Sequence, residues 1–321
     1  MEAATLRTTD PTYTAPADPH PLRRFAERFI MDPRDVPFLA LMASATLVVI
    51  PFAVYLFLPG RFRWWLGFAY LALVMFGYVD RYILMLHNTS HRLLFRPRWR
   101  FMNLYIPWVL GPFFGESPET YFGHHLGMHH PENNLEEDLS STMAYRRDRF
   151  SDFMRYWARF FFLILFELPA YLWRKKRDRL ARRLLFGELT YMAWVGLMLW
   201  VNWRAALFVY VAPVLMVRFL MMAGNWGQHA FIDPARPANC YVNSITCIDT
   251  RYNRRCFNDG YHIGHHLRAN RHWTEMPGEL ERNVATYARE GAVIFRGTPQ
   301  EAQEDARVAE VYLGPPESRA A

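Results

Sequence analysis

Four stretches of this chain, residues 38–58, 64–86, 184–201 and 205–223, are nearly free of charge, and each is about as long as the ~20 residues a helix needs to cross a bilayer. No other feature restricts the fold so strongly. In hydrocarbon every backbone N–H and C=O must find its partner within the segment, so a stretch of this kind enters a membrane as a helix. With 52% hydrophobic and 17% aromatic residues over 321 positions, the chain is too apolar for disorder and long enough for one substantial domain. The pattern predicts an all-α integral membrane protein with four transmembrane helices.

The formal net charge of +7 would suit a nucleic-acid binder, but its position argues otherwise. Arginines flank the apolar spans, at Arg23, Arg24, Arg28 and Arg34 and again from Arg92 through Arg183, which is the positive-inside pattern. Trp64, Trp65, Trp200 and Trp203 stand at span ends, where amphipathic rings favour the headgroup layer. No nucleic-acid partner is expected. Cys240, Cys247 and Cys256 are odd in number and form no CxxC pair, so reduced thiols are expected rather than a disulfide framework. The first 36 residues show neither an apolar core nor a small-residue cleavage site, so no cleaved signal peptide is expected.

Three regions follow from these observations. Residues 1–30 form an N-terminal tail, disordered over 1–20, that ends in a short amphipathic segment. Residues 31–285 form the membrane domain, and 286–321 a C-terminal cytosolic tail. Pro51 should kink the first span, and Pro59-Gly60 should turn the chain. The second span has no breaker between Trp64 and His87. Residues 101–114, interrupted by Pro107, Gly111 and Pro112, are too broken for a span and read as re-entrant or interfacial. In 153–173, Arg155, Arg159 and Glu167 recur within an aromatic run, the pattern of an interfacial helix.

Eleven of the twelve histidines fall in four short clusters, and only His20 stands apart. The clusters are His87-Asn-Thr-Ser-His91, His124-His125-Leu-Gly-Met-His129-His130, Asn225-Trp-Gly-Gln-His229, and His262-Ile-Gly-His265-His266 with His272 just beyond. Imidazole is a borderline-soft donor for iron, zinc, copper or nickel, so this many at ligand spacing imply a polynuclear metal site. On a helix His87 and His91 project from one face, as do His125 and His129, while His130 turns about 100° away toward a neighbouring ion. His262 and His265 lie one turn apart, with His266 offset. For the clusters to meet, an even number of crossings must separate them. With 153–173 lying flat and the last two spans forming a hairpin at Asn202-Trp203-Arg204, all four clusters share one face with the arginine-rich loops.

No Glu-x-x-His pair accompanies the histidines, which disfavours a soluble di-iron bundle. Nor is there an HExxH, a GxSxG elbow or a Walker sequence. Together, in order and beside these spans, the clusters resemble the HxxxH, HxxxHH, NxxxH and HxxHH signature of the membrane fatty acid desaturase family, over about residues 38–277. The resemblance implies a histidine-box cap on the cytosolic face holding two irons, with O2 as co-substrate. The implied ligands are His87, His91, His125, His129, His130, His229, His262, His265 and His266, with Asn225 acting through a bound water. His125 rather than His124 gives the HxxxHH register, and His272 is expected to be structural or to support a ligand. The cytochrome b5 motif fused to some relatives is absent, so an external donor of ferredoxin or cytochrome b5 type is expected.

Carboxylates that would orient the imidazoles are sought at Asp138, Asp233, Asp249 and Asp259, each close in sequence to a cluster. Asp80 lies within the second span two turns before His87, where a structural ion pair is the expected explanation. The stripe from Glu132 to Asp138 reads as a solvated run, with Arg146, Arg147 and Arg149 as its candidate partners. Tyr121, Phe122, Met222 and Trp226 are candidate lining for an acyl tunnel. The expected reaction is O2-dependent desaturation of a membrane lipid or acyl chain, with hydroxylation of a lipid, alkane or carotenoid as the alternative. Metal transport is disfavoured, because transport sites lie near the bilayer midplane whereas these clusters lie at or beyond span ends.

Overall fold

The computed structural model describes residues 6–297 and 301, and most of them are helical. Three helices are long and apolar enough to cross a membrane: Pro33–Phe57, Trp64–His91 and Asp178–Gln228. The first begins where the Asp32 carboxylate accepts the backbone N–H of Arg34 (2.9 Å), with Pro33 and Pro37 in the opening turns. It continues through Pro51 and stops at Leu58, before a turn in which Gly60 takes a left-handed conformation (φ 71°). The second runs unbroken into the first histidine cluster, as its lack of breakers predicts, with a π-helical turn at Leu73–Tyr78.

The third candidate is not straight. Its helical run is interrupted at Asn202 (φ −157°, ψ 91°). In a continuous helix Tyr191 and Tyr210 would be about 28 Å apart. Instead the Tyr191 hydroxyl lies 3.4 Å from the Tyr210 carbonyl, and the Trp194 and Tyr210 rings are 6.3 Å apart. Arg218 donates to Glu188 (2.9 Å), so an ion pair ties the two arms. The chain therefore doubles back at the position where the sequence predicts a hairpin.

Two compact units can be distinguished. One comprises Ala15–Met128 and Leu165–Leu220. Its interior is built from Tyr70, Val74, Tyr82, Met85, Phe114 and Leu184, all buried, with Tyr82 stacked on Phe114 at 4.4 Å. Its outward side chains are as apolar as its core: Phe76 is 81% and Trp200 84% exposed. That is how a helix facing lipid is expected to look, since the surrounding solvent is itself apolar. Within this unit Gly187 packs so closely on the Pro118 carbonyl that a Cβ would overlap it, which brings the hairpin against the segment leading to the second cluster. Residues 97–114 form short 3-10 and π turns rather than a span. Asp80 accepts the backbone N–H of Arg81 (2.8 Å), whose guanidinium lies over the Tyr78 ring.

The other unit comprises Met1–Thr14, His129–Ile164 and Met221–Ala321. It departs from the all-α expectation, because Ile245–Ile248 pairs in parallel with Val293–Arg296, with Ile245 opposite Val293. A parallel pair needs a long crossover. Here the crossover contains the fourth-cluster helix His262–Leu267 and the helix Met276–Glu290. Residues 286–296, expected to be tail, thus complete this unit, while 298–300 and 302–321 lie outside the described residues. The disorder expected for the N-terminal tail is also corrected over Thr8–Pro11, which hydrogen-bonds to residues 249–281. The segment expected to lie flat forms one helix, Phe150–Arg174, and is not among the three apolar candidates.

Candidate metal centre

Each unit gathers histidines. In the second unit His129, His229, His262 and His266 offer ligand nitrogens that all lie within 4.8 Å of one another. The Nε2 atoms of His229 and His262 are 3.2 Å apart, and those of His262 and His266 3.0 Å. Two of these rings have their other nitrogen committed. His129 donates Nδ1–H to the Asp138 carboxylate (2.8 Å), and His229 donates Nδ1–H to the Asn243 carbonyl (2.6 Å). Because both partners are acceptors, the proton of each neutral ring resides on Nδ1, and Nε2 presents a bare lone pair to its neighbours. These two lone pairs lie within 4.8 Å of each other and of ligand nitrogens of His262 and His266, a spacing a shared cation can bridge, so this donor set fits a transition-metal ion.

Burial supports neutral rings. It depresses the His229 pKa from 6.5 to about 3, and the neighbouring His129 adds to the effect. Burial likewise pushes His266 well below the ordinary imidazole value, reinforced by His262. A neutral imidazole is the form that binds metal, so no proton need be displaced at neutral pH.

In the same unit His130 and His265 meet, Nε2 to Nε2, at 2.9 Å. In the first unit His87, His91 and His125 form a triad, with ring centroids 4.6 Å apart for His87 and His125 and the Nε2 atoms of His91 and His125 at 2.9 Å. Tyr121, a predicted lining residue, is buried with its ring 5.0 Å from His125. The second cluster is therefore divided. His125 joins the first-cluster residues, His129 the tetrad, and His130 the fourth-cluster His265. Spacing alone pairs His125 with His129, but a π-helical turn over His125–His129 replaces the regular helix there. The fourth cluster also departs from expectation: His262 pairs with His266, with centroids at 4.5 Å, whereas the His262 and His265 centroids are 5.9 Å apart.

Of the four candidate carboxylates, Asp138 is bonded to a histidine of the tetrad. Its Oδ2 accepts from His129 and from the backbone N–H of Asn134 (3.0 Å), and its Oδ1 accepts from the backbone N–H and hydroxyl of Ser140 (2.8 and 2.6 Å). Asp233 pairs with Arg236, Asp249 with Thr9 and Arg296, and Asp259 accepts from Gln228 and Tyr252. The acidic stripe is not solvated throughout, since Asn134 and Asp138 are buried and Asn134 also donates to Asn243 (3.0 Å). Among its candidate partners, Arg146 pairs with Asp148, and Arg147 donates to the Ala230 carbonyl (3.1 Å).

Asn225 donates its amide to the Ser140 carbonyl (2.9 Å) and the Tyr156 hydroxyl (2.7 Å), so Oδ1 is the atom it can offer to a water. Trp226 packs on Tyr156 and Phe153, with centroids at 5.1 and 5.6 Å. His272 is buried and uses Nδ1 to accept the Thr274 backbone N–H (3.1 Å), capping the turn Trp273–Glu275. Sequence reasoning missed Tyr156, Asn243 and the turn at Asn133-Asn134. Only the last left a signal, because two successive asparagines suit the left-handed φ of 49° and 60° found there.

A family model described as fatty acid desaturase matches residues 62–298, well over half of the chain. The chain belongs to the fatty acid desaturase family. The match includes all four histidine clusters and two of the three apolar helices in full. Membership and these helices mark the chain as a membrane protein and an oxidoreductase of lipids, in a family known for iron. No curated protein and no solved structure matches the chain significantly.

Proposed function

We propose that this desaturase-family chain is an O2-dependent di-iron enzyme that introduces a double bond into an alkyl chain carried by a lipid or thioester. The observation that carries this reading is the tetrad of buried His129, His229 and His262 with half-buried His266, in which His129 and His229 are turned Nε2-inward by Asp138 and Asn243. The tetrad supplies the donors for one iron. His87, His91 and His125 in one unit, and His130 and His265 in the other, are the further ligands the family implies, and Asn225 contributes through water. When bound, the iron pair activates O2 and supplies the oxidising power needed to remove hydrogen from an unactivated methylene.

The protein's own groups set the conditions for that chemistry. Asp138 and the Asn243 carbonyl fix ring orientation and tautomer and raise the basicity of the donor nitrogen. Burial depresses the pKa values of His229 and His266 and keeps these two rings unprotonated. Tyr121 and Trp226, beside clusters in their own units, are suited to line an apolar chain path. Electrons come from a separate donor protein. The membrane reading extends to four crossings, with the doubled-back arms of Asp178–Gln228 as the third and fourth and the clusters on the cytosolic face. The hairpin at Asn202 and the arginine-flanked spans support it.

Hydroxylation is the second reading, because a small displacement of the chain relative to the oxidant decides whether a second hydrogen is removed or oxygen is returned. Incubating detergent-purified, iron-loaded protein with a reduced donor, O2 and a lipid extract, followed by mass spectrometry, separates the two. A product lighter by two hydrogens supports desaturation, one heavier by an oxygen atom supports hydroxylation, and neither product overturns both.

A further inference from the structure

We infer that Asp10 is a positioning residue for the fourth histidine cluster: the N-terminal stretch of chain from Thr8 to Pro11 straps the loop 249–260 and fixes Tyr261, on which the helix His262–Leu267 is built. The inference rests on the reading of that helix as a metal-binding element.

Three donors converge on one buried oxygen. Asp10 Oδ2 accepts from the backbone N–H of Asp249 (2.7 Å), the side-chain amide of Asn253 (2.9 Å) and the hydroxyl of Tyr261 (2.8 Å). Asp10 is 5% exposed, and its Oδ1 has no hydrogen-bond partner, so Oδ2 alone carries the contact. The neighbours of the strap reinforce it. Thr9 donates through its backbone N–H and its hydroxyl to the Asp249 carboxylate (2.5 and 2.9 Å), and Asn258 donates to the Pro11 carbonyl (2.8 Å).

The loop beneath has no freedom to compensate. Asn253 Oδ1 accepts from Gly260 N–H (2.9 Å), and a Cβ on Gly260 would meet the Cys247 carbonyl at 2.5 Å. Asp249 and Asn258 hold left-handed conformations at φ 58° and 56°. Asp249 keeps its backbone N–H bonded to Asp10, which helps hold that strained geometry. Tyr261 is the N-cap of the fourth-cluster helix, and its carbonyl accepts the His265 N–H (3.0 Å). A shift of Tyr261 therefore moves His262, His265 and His266 together. On the far side the same helix is held by Arg271, which donates to the Gly264 carbonyl (3.0 Å) and pairs with Glu279 (3.4 Å). Asp10 supplies the opposing hold.

The test uses the full chain in detergent, stripped and then titrated with Co(II), whose visible absorption reports ligand geometry, and with Fe(II) against a chelator. Asp10→Ala and Tyr261→Phe are expected to weaken metal binding about tenfold, the lower range for groups that orient ligands. Both should also alter the cobalt spectrum and speed amide hydrogen exchange over residues 262–267. Asp10→Asn keeps an acceptor in the place of Oδ2 and should restore most of the loss. Tyr261→Phe deletes only a hydroxyl and serves if Asp10→Ala does not fold. Wild-type affinity, spectrum and exchange in Asp10→Ala or Tyr261→Phe overturn the inference. A parent protein that binds no metal overturns the metal-site reading instead, and exchange over 262–267 still decides whether the strap positions the helix.

Discussion

Asp138→Asn isolates the role of one carboxylate. Its two oxygens face four donors: His129 Nδ1–H and Asn134 N–H on Oδ2, and the N–H and hydroxyl of Ser140 on Oδ1. An amide in either orientation turns an NH2 group toward two of them. Two buried donors then lack an acceptor, at about 1–3 kcal/mol each, so the fold loses about 2–6 kcal/mol. Metal binding suffers separately. With the Nδ1–H of His129 no longer anchored to a carboxylate, ring orientation and basicity fall, which weakens binding about 10–100-fold, or about 1.4–2.8 kcal/mol. Ser140→Ala is the control, since it removes the hydroxyl bond on the side of Asp138 away from His129. It should lower thermal stability and leave iron affinity unchanged. Thermal melts and chelator competition for Fe(II), measured on the same preparations at a temperature where all variants are folded, separate the two effects. If Asp138→Asn binds iron within about twofold of the parent, the orienting role is refuted.

Two more perturbations follow from the geometry. His125 belongs to the triad with His87 and His91 and His124 stands outside both histidine groups, so His125→Ala should weaken iron loading at least about tenfold while His124→Ala keeps it. Equal loading of the two variants, measured by metal analysis, contradicts the division. In the metal-free protein, His229 stays neutral down to about 3 when folded but takes a proton below its ordinary 6.5 when unfolded. Its share of stability is thus complete above that ordinary value and is lost as pH falls toward the folded one, at up to about 1.4 kcal/mol per pH unit. Melting temperatures recorded from about pH 7.5 to about pH 5.5 should fall, and a flat profile contradicts neutral burial.

What the sequence revealed was local in origin. Charge-free length marks the spans, and the absence of a breaker between Trp64 and His87 carries a helix into the first cluster. Asn202, polar between two apolar runs, marks the reversal that the Tyr191–Tyr210 contact bears out. The histidines stood out by number and spacing, but their distribution between groups did not. In the second cluster a π-helical turn changes the register, and in the fourth His266 is the partner of His262 while His265 meets His130, 135 residues away in sequence. Asp138 could not be told from Asp233, Asp249 and Asp259, because all four are near a cluster in sequence and only the fold shows which carboxylate meets a ring. The strand Val293–Arg296 and the strap at Asp10 were missed for a related reason. Each is too short to show a period of its own, and each is ordered by partners at least 45 residues away.

The unit that carries the tetrad is assembled from three separate lengths of chain, Met1–Thr14, His129–Ile164 and Met221–Ala321. Contacts so distant in sequence form late, because ends must be brought together before any bond between them is gained. A ribosome making this protein releases His129 long before His266 exists, and Val293–Arg296 emerges later still. A product truncated before His266 lacks one of the four nitrogens of the tetrad, so on the proposed reading a nascent chain cannot yet hold metal there.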